Sequence, residues 1–211
     1  MSGCASVKEQ PEQVVESTQL ETSAEETVSE MIRPLADTTM EALKDSVVHI
    51  SFEQDGFYRD ASGTVFLRMQ VYSYEKFDMV DISCLKAGDS ILLSGEETLV
   101  TSVKRNDYGT VLINGGLEEG GFDLATDNSG VYFVHGYDDM KSWNLVGEAE
   151  FPVAECFVFT DSADLEHDPI LYGAADLLEG IPAAEYGYRP QNTLVRIEEG
   201  KVVTLERIYT P

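Results

Sequence analysis

Apolar and polar residues alternate in several short runs of this chain, and the alternation restricts the fold more than any other feature. The run VVHISFE has apolar side chains at Val48, Ile50 and Phe52, and VFLRMQVYSY continues the pattern from Val65 to Val71. A period of two is typical of strands that bury one face. The runs ILLSG, ETLVTSV, GTVLING and GVYFVHGY follow, punctuated by the Gly, Asn and Asp residues that turns require. We therefore predict a mainly β domain, built as an antiparallel meander or as small barrel-like sheets with a short helix.

Three local signals in the second half of the chain are more specific. The segment TLVRIEEGKVVTLERIY has two alternating runs around Glu199 and Gly200, which predicts a β-hairpin. The segment LYGAADLLEGI is the best helix candidate, and we expect the helix to end near Gly180 and Pro182. Pro152 interrupts the alternation of GEAEFPVAECFVFT. Because proline cannot donate a ladder hydrogen bond, we expect a sheet edge or a bulge at that point.

The first 40 residues differ in composition from the rest of the chain. From Ala5 to Met40 there is no glycine and no aromatic residue, and Glu, Ser, Thr and Gln are abundant. Such a segment buries too little apolar surface to offset the entropy lost on ordering it. We predict a disordered acidic tether over residues 1–40 and a β-rich globular domain over residues 41–211. An amphipathic helix with Val14, Val15 and Leu20 on one face is the alternative for the tether.

The chain is strongly acidic. It has 14 Lys and Arg residues against 39 Asp and Glu residues, which gives a formal net charge of -25 at pH 7. A surface this negative repels phosphate backbones, so we expect no nucleic-acid partner. Two interpretations of the acidity stay open: a preference for cations or basic partners, and a surface charge that only keeps the protein soluble.

The first residues, MSGCAS, form a short motif around Cys4. The motif resembles the lipobox of bacterial lipoproteins: Ser2, Gly3 and Cys4 match, and Met1 stands where leucine is commonest. The resemblance implies that Met1 lies near the end of a signal peptide and that Cys4 is the lipidation site. The protein would then be anchored to the outer face of the bacterial cell membrane. Two or three acyl chains give a stable anchor where one would not.

The chain as a whole resembles uncharacterised acidic lipoproteins of Gram-positive gut bacteria, in which turn segments like VDISCLKAGDSI and LINGGLEEGGFDL recur. The resemblance implies a location but no activity. We expect a non-enzymatic, extracytoplasmic protein that acts as a binding or scaffold module at the cell envelope. Its partners would be the membrane, through the lipid on Cys4, and a protein or carbohydrate ligand; the oligomeric state is left open. The alternative is a secreted hydrolase that uses carboxylates of the acidic loops.

The acidic loop TDSADLEHD is the candidate metal site. Asp161, Asp164 and Asp168 offer carboxylate oxygens, which are the ligands that calcium prefers. The loop lacks the register of an EF-hand, and a turn built from Ser and Asp explains the same residues. We find no catalytic motif and expect no cofactor, with calcium at these three aspartates as the alternative.

Cysteine and aromatic residues are the remaining candidates for a functional role. Cys84 lies in phase with Val80 and Ile82, so we expect it to be a buried apolar residue, and a disulfide between Cys84 and Cys156 stays open. Aromatic residues near turns are common at recognition surfaces, although most only cover the core. The candidates for such a surface are Tyr132, Phe133, Tyr137, Trp143, Tyr186 and Tyr188.

Overall fold

The computed structural model describes residues 31–36, 38–126, 130–136, 141–184 and 187–210. Within these residues the chain forms short helices and 14 strands, and the predicted mainly β fold is confirmed. The strands are β1 (Ser46–Ser51), β2 (Phe57–Arg59), β3 (Val65–Ser73), β4 (Lys76–Phe77), β5 (Ser90–Leu93), β6 (Glu96–Leu99), β7 (Val103–Arg105), β8 (Val111–Ile113), β9 (Phe122–Thr126), β10 (Tyr132–His135), β11 (Asn144–Ser162), β12 (Ile170–Tyr172), β13 (Thr193–Glu198) and β14 (Lys201–Ile208). The α-helices are α1 (Met79–Cys84) and α2 (Ala174–Glu179), and 3-10 helices span Met40–Asp45, Gln54–Gly56 and Leu117–Glu119.

Seven strands form a sheet whose pairings close into a ring. The strand order is β12-β11-β14-β13-β1-β3-β2, and β11 also pairs with β3. The five strands β3, β1, β13, β14 and β11 therefore form a small barrel. Most of its pairs are antiparallel, but β11 and β14 run parallel. That pair departs from the antiparallel expectation because the long connection from β11 to β14 contains β12, α2 and β13 and returns the chain to the same end of the barrel.

Pro152 marks the point at which the long strand β11 changes partners. The first part of β11 pairs with β3, and Pro152 opposite Phe66 is the last pair of that ladder. The second part pairs with β14, and the register of this ladder shifts between Val153 and Val158. Pro152 is therefore not at a sheet edge, and the bulge lies just after it, between Val153 and Val158. The change of partners lets one strand contribute to both sides of the barrel.

The inward-facing residues of the barrel form the first of two hydrophobic clusters. The alternation predicted for β1 and β3 is confirmed, since Val48, Ile50 and Leu67 are at most 3% exposed. Helix α2 covers this cluster through Leu177. It ends at Glu179, where the backbone N–H of Gly180 donates to the carbonyl of Asp176 at 3.2 Å, so the predicted short helix is confirmed.

A second lobe is inserted between β3 and β11. It contains the five-stranded sheet β4-β10-β9-β8-β7 and the hairpin β5-β6. Its own cluster includes Phe77, Ile91 and Leu124, all fully buried. Because Ser73 and Asn144 are opposite each other in the β3–β11 ladder, the insertion leaves and re-enters the barrel at one place.

Residues 31–36 lie against the inserted lobe. The backbone N–H of Ile32 donates to Ser90 and its carbonyl accepts from Leu92, both at 2.9 Å. The backbone N–H of Leu35 donates to the carbonyl of Lys76 at 2.7 Å. Contacts with the folded chain therefore begin before Met40, within the segment that the sequence assigns to the tether. Residues 1–30, with the candidate lipidation site Cys4, lie outside the described residues.

The predicted hairpin at Glu199 and Gly200 is also confirmed. Strands β13 and β14 are joined by these two residues, whose φ angles are 49° and 71°. Positive φ at both positions is the geometry that matches the twist of two antiparallel strands. In the described ranges, no helix is long and apolar enough to span a bilayer.

Candidate functional site

A concave surface lies where β11, β12 and β14 approach the loop between α2 and β13. It has a volume of about 910 Å³, and we refer to it as the acidic groove. It is lined by Asp161, residues 163–168, Ile170, Tyr172, residues 182–184, Gly187, Asn192 and residues 207–210. A cavity of this size accommodates a small ligand or part of a peptide.

The wall of the acidic groove contains a buried ion pair between Asp161 and Arg207. Nε of Arg207 donates to Oδ1 of Asp161 at 2.8 Å, and the second guanidinium nitrogen bonds to Oδ2. The two side chains are 8% and 9% exposed. Burial lowers the pKa of Arg207, but the hydrogen bond to Asp161 and the nearby phenols and carboxylate raise it above its usual value. The pair joins one positive and one negative side chain, so it adds no net charge to the groove.

Tyr188 connects this ion pair to the loop that follows α2. The guanidinium of Arg207 lies 5.1 Å from the centre of the Tyr188 ring, and the Tyr188 hydroxyl donates to the carbonyl of Pro182 at 2.9 Å. Burial is the main reason that the pKa of Tyr188 rises to about 12. A third contact runs from Arg207 to the carbonyl of Ala183 at 3.3 Å. These bonds fix the loop wall of the groove to β14.

Exposed carboxylates lie along the rim of the groove. Asp164, Glu166 and Asp168 are all exposed. Asp164 accepts from the backbone N–H of Glu166 and lies 2.9 Å from Nδ1 of His167. The backbone hydrogen bond, with a further contribution from His167, lowers the pKa of Asp164. The rim therefore carries negative charge at neutral pH.

Large apolar side chains lie beside these carboxylates. Leu165 is 74% exposed, Ile170 52% and Tyr209 47%, and all three line the groove. Leu171, between Ile170 and Tyr172 on β12, points to the other face of the strand and is 66% exposed. Exposed apolar residues that cluster and are rimmed by polar groups are typical of binding surfaces.

The structure gives different surroundings to the three aspartates proposed as calcium ligands. Both carboxylate oxygens of Asp161 bond to Arg207, whereas Asp164 and Asp168 lie on the exposed rim. Among the residues that the structure describes, no group of three or more His, Cys, Asp or Glu side chains is placed to hold a metal ion. Calcium binding by this loop stays a prediction.

The aromatic candidates are used in the structure chiefly for packing. Trp143 contacts His49 and Tyr74 at the junction of the barrel and the inserted lobe, with ring centres 4.4 and 5.1 Å away. Phe133 packs edge-on against Tyr74, and the Lys141 ammonium lies 4.1 Å from the Tyr74 ring centre. Tyr188 is buried and contacts Arg207, which lines the groove. Tyr137 and Tyr186 lie outside the described residues.

His49 is the most strongly perturbed ionisable group at this junction. Burial, opposed by a hydrogen bond between Nδ1 and the carbonyl of Pro190 at 2.7 Å, lowers the pKa of His49 to about 4. The positive charges of Lys141 and Lys76 lower it further. His49 therefore stays neutral near pH 7 and serves as a packing residue.

The prediction that Cys84 is buried is wrong. Asp78 accepts a hydrogen bond from the backbone N–H of Val80 and starts helix α1, so the segment does not alternate as a strand. Within α1 only Ile82 is buried, and Val80 is 68% exposed. Cys84 and Cys156 are both exposed free thiols, and the structure contains no bond between them.

Comparisons with protein-family models, curated proteins and solved structures gave no significant match. The functional interpretation therefore depends on the groove. The sequence indicated its rim, as candidate metal ligands, but not Arg207, Tyr172 and Tyr209. A signal for Arg207 is present in β14, where it follows the buried Val202 and Leu205 at an inward position. An arginine in an inward phase indicates a buried acidic partner.

Proposed function

We propose that this protein is a lipid-anchored, extracytoplasmic binding module that holds a cationic ligand with apolar parts in its acidic groove. The observation that carries the proposal is the composition of the rim. The exposed acids Asp164, Glu166 and Asp168 lie close in the chain to the exposed apolar residues Leu165 and Ile170. The carboxylates favour a positive ligand, and the apolar side chains favour one that removes them from water. The buried pair of Asp161 and Arg207 supplies a rigid wall.

The anchoring part of the proposal depends on Cys4. The lipobox-like MSGC motif and the acidic segment behind it support a lipid anchor followed by a spacer. The net charge of -25 on the whole chain would repel it from anionic headgroups, which favours presentation of the groove to soluble or surface-bound ligands.

The binding proposal can be tested with a synthetic peptide of alternating lysine and valine, titrated into the full chain by calorimetry. We expect saturable binding that weakens with added salt, because exposed charges are screened. The variant Asp164→Asn, Glu166→Gln, Asp168→Asn should weaken binding about tenfold.

A charge-matched control distinguishes the groove from general acidity. The variant Glu96→Gln, Glu97→Gln, Glu118→Gln removes three exposed acids from the inserted lobe and should bind as the unmodified chain does. Equal weakening by both variants, or binding of a glutamate and valine peptide as tight as that of the lysine peptide, would contradict the proposal.

A hydrolase is the second candidate, and one contact favours it. Oδ2 of Asp164 lies 2.9 Å from Nδ1 of His167 at the edge of the groove, the arrangement in which a carboxylate orients an imidazole. Both side chains are more than 60% exposed, however, which is unlike a desolvated catalytic pair. Turnover of chromogenic esters or glycosides that is lost in His167→Gln would favour this candidate; no turnover would remove it.

A further inference from the structure

We propose that the ligand of the acidic groove is an extended basic peptide that pairs as an added strand with the outer edge of β12. The inference rests on the proposed binding function and specifies its ligand and binding mode. Strand β12 lies at one end of the strand order of the seven-stranded sheet. One edge of β12 pairs with β11 through Ile170, Leu171 and Tyr172. Within the described residues no strand pairs with its other edge.

An unpaired edge presents backbone N–H and C=O groups that an extended chain can bind. Proteins commonly protect such edges with very short strands, proline or charged side chains. β12 is short, but it carries no charged side chain. On β12 the residues are Ile170, Leu171 and Tyr172, and the first two are 52% and 66% exposed. This edge is therefore apolar on both faces and lies beside a groove. Those features favour a partner strand over open solvent.

The side chains around β12 specify the charge of that strand. Ile170 and Tyr172 line the acidic groove, so alternate residues of an added strand would point into it. There they would meet the rim carboxylates of Asp164, Glu166 and Asp168. Residues pointing to the other face would meet Leu171. The complementary sequence alternates Lys or Arg with apolar residues.

The N-terminal segment of the chain does not fit this description. Residues 1–30 contain seven glutamates and one lysine. Their negative charge would face the carboxylates of the rim, which disfavours docking. A separate basic peptide complements the negative charge of the rim and can pair with the outer edge of β12.

The experiment compares peptides that differ only in their backbone. The alternating lysine and valine peptide is titrated into the full chain, together with the same sequence N-methylated at every residue, so that neither of its edges can donate. Methylation keeps the charges and removes the N–H donors that a ladder needs. We expect the methylated peptide to bind at least about tenfold more weakly.

The protein variants give an independent readout on the same edge. Leu171→Lys adds a positive charge to an exposed position of β12, and we expect it to weaken binding of the unmethylated peptide about tenfold. Leu99→Lys makes the same change at a position of β6 that is 59% exposed and should have no effect.

The outcomes separate this inference from the binding function on which it rests. Hexylamine serves as a second probe, since it is cationic and apolar but has no peptide backbone. Equal affinity for the methylated and unmethylated peptides, or binding of hexylamine without binding of either peptide, overturns strand addition and leaves the groove as a cation site. Failure of both the peptides and hexylamine to bind overturns both proposals.

Discussion

Asp161 and Arg207 are opposite each other in the ladder of β11 and β14, and their side chains form a two-point ion pair in the wall of the acidic groove. The same guanidinium contacts the ring of Tyr188 and the carbonyl of Ala183. One charged pair therefore joins two barrel strands to the loop that follows α2. The shape of the groove depends on it.

Removal of Arg207 tests this role. Arg207→Met leaves the buried Asp161 carboxylate without its charged partner and with only the backbone N–H of Ala163, and we expect a loss of about 3 to 5 kcal/mol in the free energy of unfolding, measured with urea. The double variant Asp161→Leu, Arg207→Met should cost less than the sum of the single variants. As a control, Arg196→Met breaks an exposed pair with Glu198 and should cost at most about 1 kcal/mol. If the double variant loses as much stability as the two single variants together, the two side chains are not coupled.

His49 should make the protein sensitive to mild acid. Its pKa is about 4 in the folded protein, chiefly because of burial, against an ordinary histidine pKa of 6.5. The unfolded chain therefore binds a proton first as the pH falls, and stability is lost between pH 6.5 and pH 4, by up to about 3 kcal/mol. Urea unfolding of His49→Gln should show a flatter pH dependence over that window. An unchanged slope in His49→Gln would refute the assignment.

The hairpin turn offers a stabilising substitution. Glu199 has a φ of 49°, a left-handed conformation that is costly for glutamate and well tolerated by asparagine. Its backbone N–H donates to Asp45 at 2.8 Å, and this bond is kept when the side chain changes. We expect Glu199→Asn to raise the free energy of unfolding by about 0.5 to 1 kcal/mol. Gly200→Ala, at a φ of 71°, should lower it; a gain in that variant would argue against this turn geometry.

The proposed anchor predicts a lipid on one cysteine of three. When the gene is expressed in a bacterium with its natural upstream region, an alkyne analogue of palmitate should label the protein and place it in the membrane fraction. Cys4→Ser should lose both the label and the membrane association. Cys84→Ser and Cys156→Ser replace exposed free thiols and should retain both. Label that persists in Cys4→Ser would rule out the anchor.

The sequence predicted the strands, the hairpin and helix α2 because each depends on local periodicity and turn chemistry. It did not predict how β11 divides between β3 and β14, since closure of the barrel depends on pairings between residues far apart in the chain. Cys84 was misassigned because a short helix capped by Asp78 replaced the expected alternation.

The groove was predicted only in part, for the same reason. Its acidic rim is one continuous loop and was visible in the sequence as a carboxylate cluster. Its wall combines Asp161 with Arg207, which are 46 residues apart. Each of the two follows buried residues at an inward position, Asp161 after Phe159 and Arg207 after Leu205. Two opposite charges in inward phase identify a buried pair, but only the ladder shows that they meet.

The most direct test of the binding account is an NMR titration of the isotope-labelled full chain with the lysine and valine peptide. Backbone amide shifts report which residues contact the ligand. We predict saturable changes at residues 163–172 and 207–210, with the acidic hairpin β5-β6 unaffected. Shifts spread over all acidic surfaces, or confined to residues outside the groove, would contradict the account.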